Sequence, residues 1–407
     1  MNLMHTRFRV VSIFFVLLTV LTACTMSVGV ESPPEPSSDQ VATVVAQTLQ
    51  AGTPVAITPG GSATVLPRSL YFLGTDNQSL TQVFRMERDG KTQTQLTSET
   101  VDVLGYDVSS QDGSFVYEVD NQLILVNADG SNRRVLAEGP TRGNVRGFYR
   151  PTFSPDGQTL AYANEGLNLY DLATGKSDLV TPDQSGDDGQ PWEFYVPQQF
   201  SPDGKKLLIH MLHSDTSSIA IYDLGLNNLV RFQGKSDGDF ACCQFGGEIV
   251  WSPDSASIYA ANPNPGVDAG GMWRVDAATG EVTTLVPYGG SDNTFNFVDE
   301  PFPAPDGQLY YFYSSYNGDL GPLHRAPVYL EIVRAAENSM TERISLLRSE
   351  SLRTMNEALW SPEADFVIVA LAPSEDVNEG GQAEIVYFDG KPNLVLTPFA
   401  QEMKWGP

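Results

Sequence analysis

Along residues 68 to 407, apolar and polar positions alternate in short runs, and the runs recur. "FSPDGQTLAYA", Phe153 to Ala163, returns as "FSPDGKKLLIH", Phe200 to His210, with Leu160 and Tyr162 matched by Leu207 and Ile209 at period two. Successive side chains of a strand leave opposite faces of the pleat, so this alternation predicts strands packed between two apolar surfaces. Related phrases centre on Asp112, Asp156, Asp203, Asp254, Asp306 and Glu363, with successive separations of 44, 47, 51, 52 and 57 residues. In each, an apolar strand ends in an aromatic such as Phe153, Phe200, Trp251 or Trp360, and Ser-Pro-Asp-Gly then reverses the chain. Proline presets the first corner, aspartate favours the second and glycine accepts positive φ. A third strand and a second turn follow in "NLYDLATG" and "MWRVDAATG", and a fourth strand in "SDLVTP" and "NLVLTP".

Four short strands in about fifty residues make one small twisted sheet, the size of a propeller blade. The first unit opens at "RSLYFLG", Arg68 to Gly74, without the aromatic strand that should precede it. That strand stands at the other terminus: "EMKWGP", Glu402 to Pro407, parallels "EALWSPE", Glu357 to Glu363, and Trp405 follows Trp360 by 45 residues. The expected fold is all-β, a seven-bladed β-propeller of four-stranded blades whose first blade is closed by the C-terminal strand.

The phrases at Phe153, Phe200, Trp251 and Trp360 resemble the WD40-like (PD40) repeats of the TolB C-terminal propeller, and the propellers of prolyl oligopeptidase and dipeptidyl peptidase IV. The resemblance spans nearly all of residues 68 to 407 and implies fold more than task, because propellers host unrelated activities. The α/β domain that precedes the TolB propeller has no counterpart here. No G-x-S-x-G elbow of the peptidases occurs, so no catalytic residue is carried over.

Upstream, Arg7 and Arg9 precede the apolar run Val10 to Leu21, which ends in Leu21-Thr22-Ala23-Cys24. A charged segment, a short apolar segment and small residues before a cysteine read as a secretory signal over residues 1–23, and "LTAC" resembles the lipobox of bacterial lipoproteins. Cys24 is then the lipidation site, and an extracytoplasmic, membrane-anchored place in the bacterial cell envelope is expected. Residues 24–67 are rich in Pro, Ser, Thr, Gly and Ala and read as a disordered tether, leaving 68–407 as the propeller domain.

The formal net charge is −26; loss of Arg7 and Arg9 with the signal makes it −26 − 2 = −28, since residues 1–23 hold no Asp or Glu. That field disfavours nucleic acid and leaves the lipid as the only expected membrane contact. The long insertions, among them Glu138 to Arg150, Pro182 to Tyr195, Gly234 to Gly247 and Ser314 to Ala326, belong to second-to-third strand loops and to links between blades. They therefore decorate one face, where a rigid scaffold usually carries its binding residues. Exposed aromatics Trp192, Phe194, Tyr195, Phe240 and Tyr316, the basic group Arg142, Arg146 and Arg150, and carboxylates Asp187 and Asp188 are the ligand-binding candidates.

Metal chemistry is sparse. His210 and His213 stand three apart on one strand and His324 is remote, which does not suit the several-histidine metal sites of propellers that cleave pectic oligosaccharides. Asp183, Ser185, Asp187 and Asp188 approach a calcium-loop spacing, but Gly189 falls one place late, so a solvated acidic loop is the reading, and calcium is the one cofactor it would suit. Cys242 and Cys243 form either a strained vicinal disulfide or a reduced pair. The expected function is a non-catalytic binding or protein-interaction module taking a protein, peptide or saccharide on the looped face. The alternative is a propeller enzyme, lyase or hydrolase, acting on carbohydrate through Asp187, Asp188, Glu193, Asp299 and Glu300.

Overall fold

Serine and aspartate build the same turn in unit after unit. Ser154 Oγ donates to Asp156 Oδ1 at 2.6 Å and accepts the Thr159 amide at 2.9 Å, while Asp156 Oδ1 accepts the Gln158 amide at 3.0 Å. Ser201 with Asp203, and Ser252 with Asp254, repeat the contact at 2.7 Å. These bonds hold the Asp156 and Asp254 carboxyls below the usual carboxylate range, the serine hydroxyl being the largest cause. The glycines sit at positive φ, +66° at Gly157 and +69° at Gly204. A methyl at Gly204 would meet open space apart from Pro155 Cδ at 3.7 Å, whereas one at Gly157 would stand 3.0 Å from Ser109 Oγ. Gly204→Ala is therefore expected to cost about 1 kcal/mol from backbone conformation alone, and Gly157→Ala more. Paired thermal melts check the order.

The computed structural model describes residues 64–139, 150–185, 191–213, 217–232, 249–263, 271–287, 289, 294–317, 330–336, 344–346, 352 and 354–407. All lie in a compact unit, Gly61–Pro407, and every regular element among them is a strand. Gly105–Val108, Phe115–Val119, Gln122–Val126 and Arg134–Glu138 form one antiparallel sheet, and Thr152–Phe153, Thr159–Ala163, Gly166–Asp171 and Lys176–Pro182 the next. Pro191–Phe200, Lys206–His213, Ser217–Asp223 and Asn228–Arg231 follow, with the short Gln184–Ser185 added beside Pro191–Phe200. Ile249–Trp251, Ser257–Asn262, Gly271–Asp276 and Val282–Pro287 make a further sheet, and Thr294–Pro303, Gln308–Asn317, Glu331–Ala336 and Ile344–Ser345 another.

The remaining strands share one seven-stranded sheet: Met355–Trp360, Phe366–Leu371, Gly381–Tyr387, Leu394–Trp405, Leu70–Thr75, Thr81–Met86 and Gln93–Gln95. Leu394–Trp405 pairs through its first half with Gly381–Tyr387 and through its second with Leu70–Thr75, where Trp405 faces Leu70 and Lys404 faces Tyr71. The two ends of the folded unit are thus joined by backbone hydrogen bonds.

Alternation along each second strand sends its residues into two different apolar clusters. Tyr71 and Leu73 pack with Tyr106, Phe115 and Tyr117, while Leu70 and Phe72 pack with Phe366, Ile368 and Ile385. Val116 turns to Leu160 and Tyr162, and Ala161 to Leu207 and Ile209. Leu208 meets Ile258 and Trp273, Tyr259 meets Leu309 and Tyr311, and Tyr310 and Phe312 meet Val367 and Val369. Six clusters join one sheet to the next, the one with Leu70 and Phe366 joins the two halves of the seven-stranded sheet, and every fully buried large side chain adds about 1.5–3 kcal/mol. The aromatic before the turn adds a polar stitch: Trp360 Nε1 donates to Glu300 O at 3.0 Å, Trp405 Nε1 to Trp360 O at 2.8 Å and Trp251 Nε1 to Gln199 O at 3.2 Å. A tryptophan suits this place because it buries an apolar body and still satisfies its N–H.

The packed unit begins before the expected boundary at Arg68. Leu66 is buried against Leu70 and Phe366, and the Val65 and Leu66 amides both donate to Arg88 O, at 2.8 and 3.0 Å.

Candidate functional site

Aligned on the residue that precedes each turn, the first strands carry a corresponding position three residues earlier: Glu402 before Trp405, Gly105 before Val108, Arg150 before Phe153, Pro197 before Phe200, Glu300 before Pro303 and Glu357 before Trp360. Glu248, before Trp251, lies outside the described residues. These strands touch one another, Leu394–Trp405 with Gly105–Val108 and with Met355–Trp360, and Thr294–Pro303 with Met355–Trp360. The position is irregular in most of them. Register shifts fall between Pro197 and Gln199, Asp299 and Phe302, and Met355 and Glu357, and φ is +30° at Arg150, +50° at Glu300 and +51° at Glu402. Bulges of this kind re-aim side chains, and left-handed non-glycine residues cluster where function or tight packing requires them.

Here the re-aimed carboxylates clasp the next strand. Glu300 Oε1 accepts the Ala358 amide at 3.2 Å. Glu357 accepts the Glu402 amide at 2.7 Å and the Met403 amide. Tyr106 Oη donates to Glu402 O at 2.7 Å, and Asp107 Oδ2 accepts the Phe153 amide at 2.7 Å. Lys404 Nζ completes the seam, donating to Tyr106 O at 2.7 Å and Asp107 Oδ1 at 2.9 Å, and lies 5.1 Å from the Tyr106 ring centroid. Burial opposes the Lys404 charge, but Asp107 and Glu402 outweigh it and hold the ammonium above its ordinary range.

Burial raises the Glu402 carboxyl above its ordinary range, with Lys404 and Arg150 pulling the other way. A carboxyl that titrates higher folded than unfolded binds more protons in the native state, so stability falls as pH rises from the unfolded value, about 4.3, through the folded one. Glu402→Gln leaves the Tyr106 hydroxyl bond to the Glu402 backbone carbonyl in place and removes that penalty. The variant should match the wild type in acid and melt higher at neutral pH; an equal or lower neutral melting point contradicts the assignment.

Cys24, Arg142, Arg146, Asp187, Asp188, Cys242 and Cys243 lie outside the described residues. Arg150 is exposed and belongs to the set of corresponding positions above, where its charge acts on Glu402 and, after burial, lowers the His210 pKa. Trp192 is in the strand Pro191–Phe200, with its side chain outside the described set, and Tyr316 is half-buried near the end of Gln308–Asn317.

Tyr195 is a correction to the expected exposure. The strand starts at Pro191, so Tyr195 falls inside the sheet and is 2% exposed. Its hydroxyl donates to Glu193 Oε1 at 2.5 Å and accepts from Gln184 Nε2 at 2.8 Å, and burial with Glu193 pushes its pKa up to about 12. Glu193 is buried too, paired with Arg231 Nη2 at 3.1 Å. Asp183 is raised by burial and accepts the Tyr195 amide at 3.2 Å. Asp299 caps the Glu300 amide at 2.9 Å. Glu357, Glu402 and Lys404 were not singled out from sequence; the shared E-x-x-W of "EALW" and "EMKW" was the signal.

No family model matches the chain. Among solved structures, an oligogalacturonate lyase in complex with manganese is similar over 81% of this chain and 84% of that one, at 14% identity and a TM-score of 0.52. The fold is of the β-propeller type. An oligogalacturonate lyase from Vibrio parahaemolyticus agrees, at 14% identity over 82% and 86% of the two chains with a TM-score of 0.51. TolB from Acinetobacter baumannii is similar at 16% identity over 80% and 79%, with a TM-score of 0.41. Identity at this level speaks to fold alone. Manganese is a property of the first protein. Among the described residues of this one, no three His, Cys, Asp or Glu side chains gather closely enough to hold a metal, and His210 and His213 stay three apart in one unbroken strand.

Proposed function

We propose that the protein is a seven-bladed propeller, closed by its C-terminal strand and held extracytoplasmically by a lipid on Cys24, that binds a protein, peptide or saccharide on its looped face without transforming it. The seven blades are counted from five separate sheets plus two in the seven-stranded sheet, split where Leu394–Trp405 passes from Gly381–Tyr387 to Leu70–Thr75. The apolar clusters support the same count, since six join successive sheets and the seventh lies between the two halves of the seven-stranded sheet.

One observation carries the non-catalytic reading: the inner carboxylates are spent on structure. Glu300, Glu357 and Asp107 hold backbone amides of neighbouring strands, and Glu193 is buried against Tyr195 and Arg231. A general acid or nucleophile must instead reach a substrate. Ligand recognition then falls to the looped face, for which Arg142, Arg146, Arg150 and Trp192 are the candidates. A melting screen of the full chain against peptides and oligosaccharides tests this; a ligand at a hundredfold excess over its Kd stabilises by about 2.7 kcal/mol. The reading expects a shift that Trp192→Ala or Arg150→Glu reduces; a shift insensitive to every looped-face change counts against it.

A second reading, a propeller enzyme acting on carbohydrate, is favoured by one feature, the raised carboxyl of Glu402 at the position it shares with Arg150. It makes Glu402 the proton donor to examine, in place of the buried Glu193.

A further inference from the structure

Between Glu402 and Arg150, the order of corresponding positions passes through Gly105, which has no side chain. Its strand, Gly105–Val108, touches Leu394–Trp405 and also Thr152–Phe153, and Asp107 ties it to the latter through the Phe153 amide at 2.7 Å. Backbone conformation does not call for glycine here, since Gly105 is not one of the glycines at positive φ. Its missing side chain leaves room instead. Among the described residues, a methyl built on Gly105 would meet only the Glu402 carboxylate, Oε2 at 3.9 Å and Oε1 at 4.0 Å. The next corresponding position is Arg150, exposed, held at φ +30° and without a hydrogen bond or ion pair to any described residue. Its charge reaches both Glu402 and His210. Lys404 is already engaged by Tyr106 O and Asp107, so Arg150 is the cation left over.

We infer that the space over Gly105 is a carboxylate-binding site, in which the Arg150 guanidinium pairs with a ligand carboxylate and the absent side chain makes room for it beside Glu402. The inference rests on the looped-face binding proposed above and names the ligand chemistry of that face. A guanidinium matches a planar carboxylate through two parallel N–H donors. A dianion suits the place less, because Glu402, Glu357 and Asp107 all act on Tyr106, next to Gly105, and would repel a second negative charge. Glu402 is raised by burial, with Lys404 and Arg150 opposing, so it holds its proton into milder acid than an exposed carboxyl and can donate it to the second oxygen of the ligand. His210 supplies a reporter. Burial and then the Arg150 charge lower its pKa, no other charged group among the described residues acts on it, and its strand partners Val196 and Ile219 are apolar. A carboxylate that neutralises Arg150 therefore lets His210 protonate at higher pH, and by reciprocity the carboxylate binds more weakly as pH rises through that titration.

Acetate and its uncharged isostere acetamide are the probes, and the His210 imidazole resonances of the full chain, assigned with His210→Gln, are the readout. Millimolar acetate should shift these resonances saturably and raise the His210 pKa, while acetamide, or chloride at equal ionic strength, should do neither. Arg150→Gln should abolish the acetate response. Gly105→Leu should abolish it too, by filling the space without changing the charge, whereas Gly105→Ala, in ordinary contact with Glu402, should retain it. Should Gly105→Leu fail to fold, Arg150→Gln, at an exposed position, still decides. An acetate response no larger than that of chloride, or one that survives in either Arg150→Gln or a folded Gly105→Leu, overturns the site. The looped-face reading is judged separately: a ligand that raises the melting temperature through Trp192 while acetate leaves His210 unmoved removes the carboxylate site and keeps that reading.

Discussion

Removal of residues 401–407 should abolish cooperative folding. This segment supplies the partner of Leu70–Thr75, the buried Met403 side chain, the Trp405 bond to Trp360 O and the Lys404 bridge to Tyr106 and Asp107. Burial of Met403 alone contributes about 1.5–3 kcal/mol, and each buried backbone group left unpaired along Leu70–Thr75 costs about 1–3 kcal/mol. The sum reaches the whole stability of an ordinary domain, about 5–15 kcal/mol. Near-ultraviolet circular dichroism and denaturant titration of the truncated chain should find no native transition. A truncated chain that unfolds with the wild-type midpoint would contradict the role given to this strand.

Glu357→Ala has the largest expected effect of any single substitution. The carboxylate accepts the Glu402 and Met403 amides, which sit where the chain turns from the last unit into the first. Alanine strands both, at about 2–5 kcal/mol together, or a fall in melting temperature of about 3–7 °C for a domain of this size. Glu357→Gln retains one acceptor oxygen and should lose about half as much. If alanine and glutamine are both neutral, the carboxylate is no clasp and becomes available for chemistry, which would revive the enzymatic reading.

Much of the strand framework could be read from the chain, because its determinants are local. The serine and aspartate of each turn bond within five residues of one another, and the alternation of Leu160, Ala161 and Tyr162 is the alternation of the clusters they enter. The pairing of the two termini was legible for a different reason: "EMKW" repeats "EALW" one unit later. The site was less legible. Pro191 to Tyr195 reads as loop because proline and mixed polarity interrupt the pattern, yet the strand runs through to Phe200 with its register shift beside Pro197, where a missing N–H is tolerated. The clasping carboxylates were hidden because their partners are backbone amides 45, 46 and 58 residues away, which no side-chain pattern announces.

Recovery of a bound saccharide or peptide after prolonged incubation with the full chain, followed by its mass, is the most direct test of binding without turnover. The account predicts that any ligand that raises the melting temperature is recovered intact, from the wild type and from Glu402→Gln alike. A ligand shortened or unsaturated by the wild type and spared by Glu402→Gln would contradict it and make Glu402 a catalytic residue.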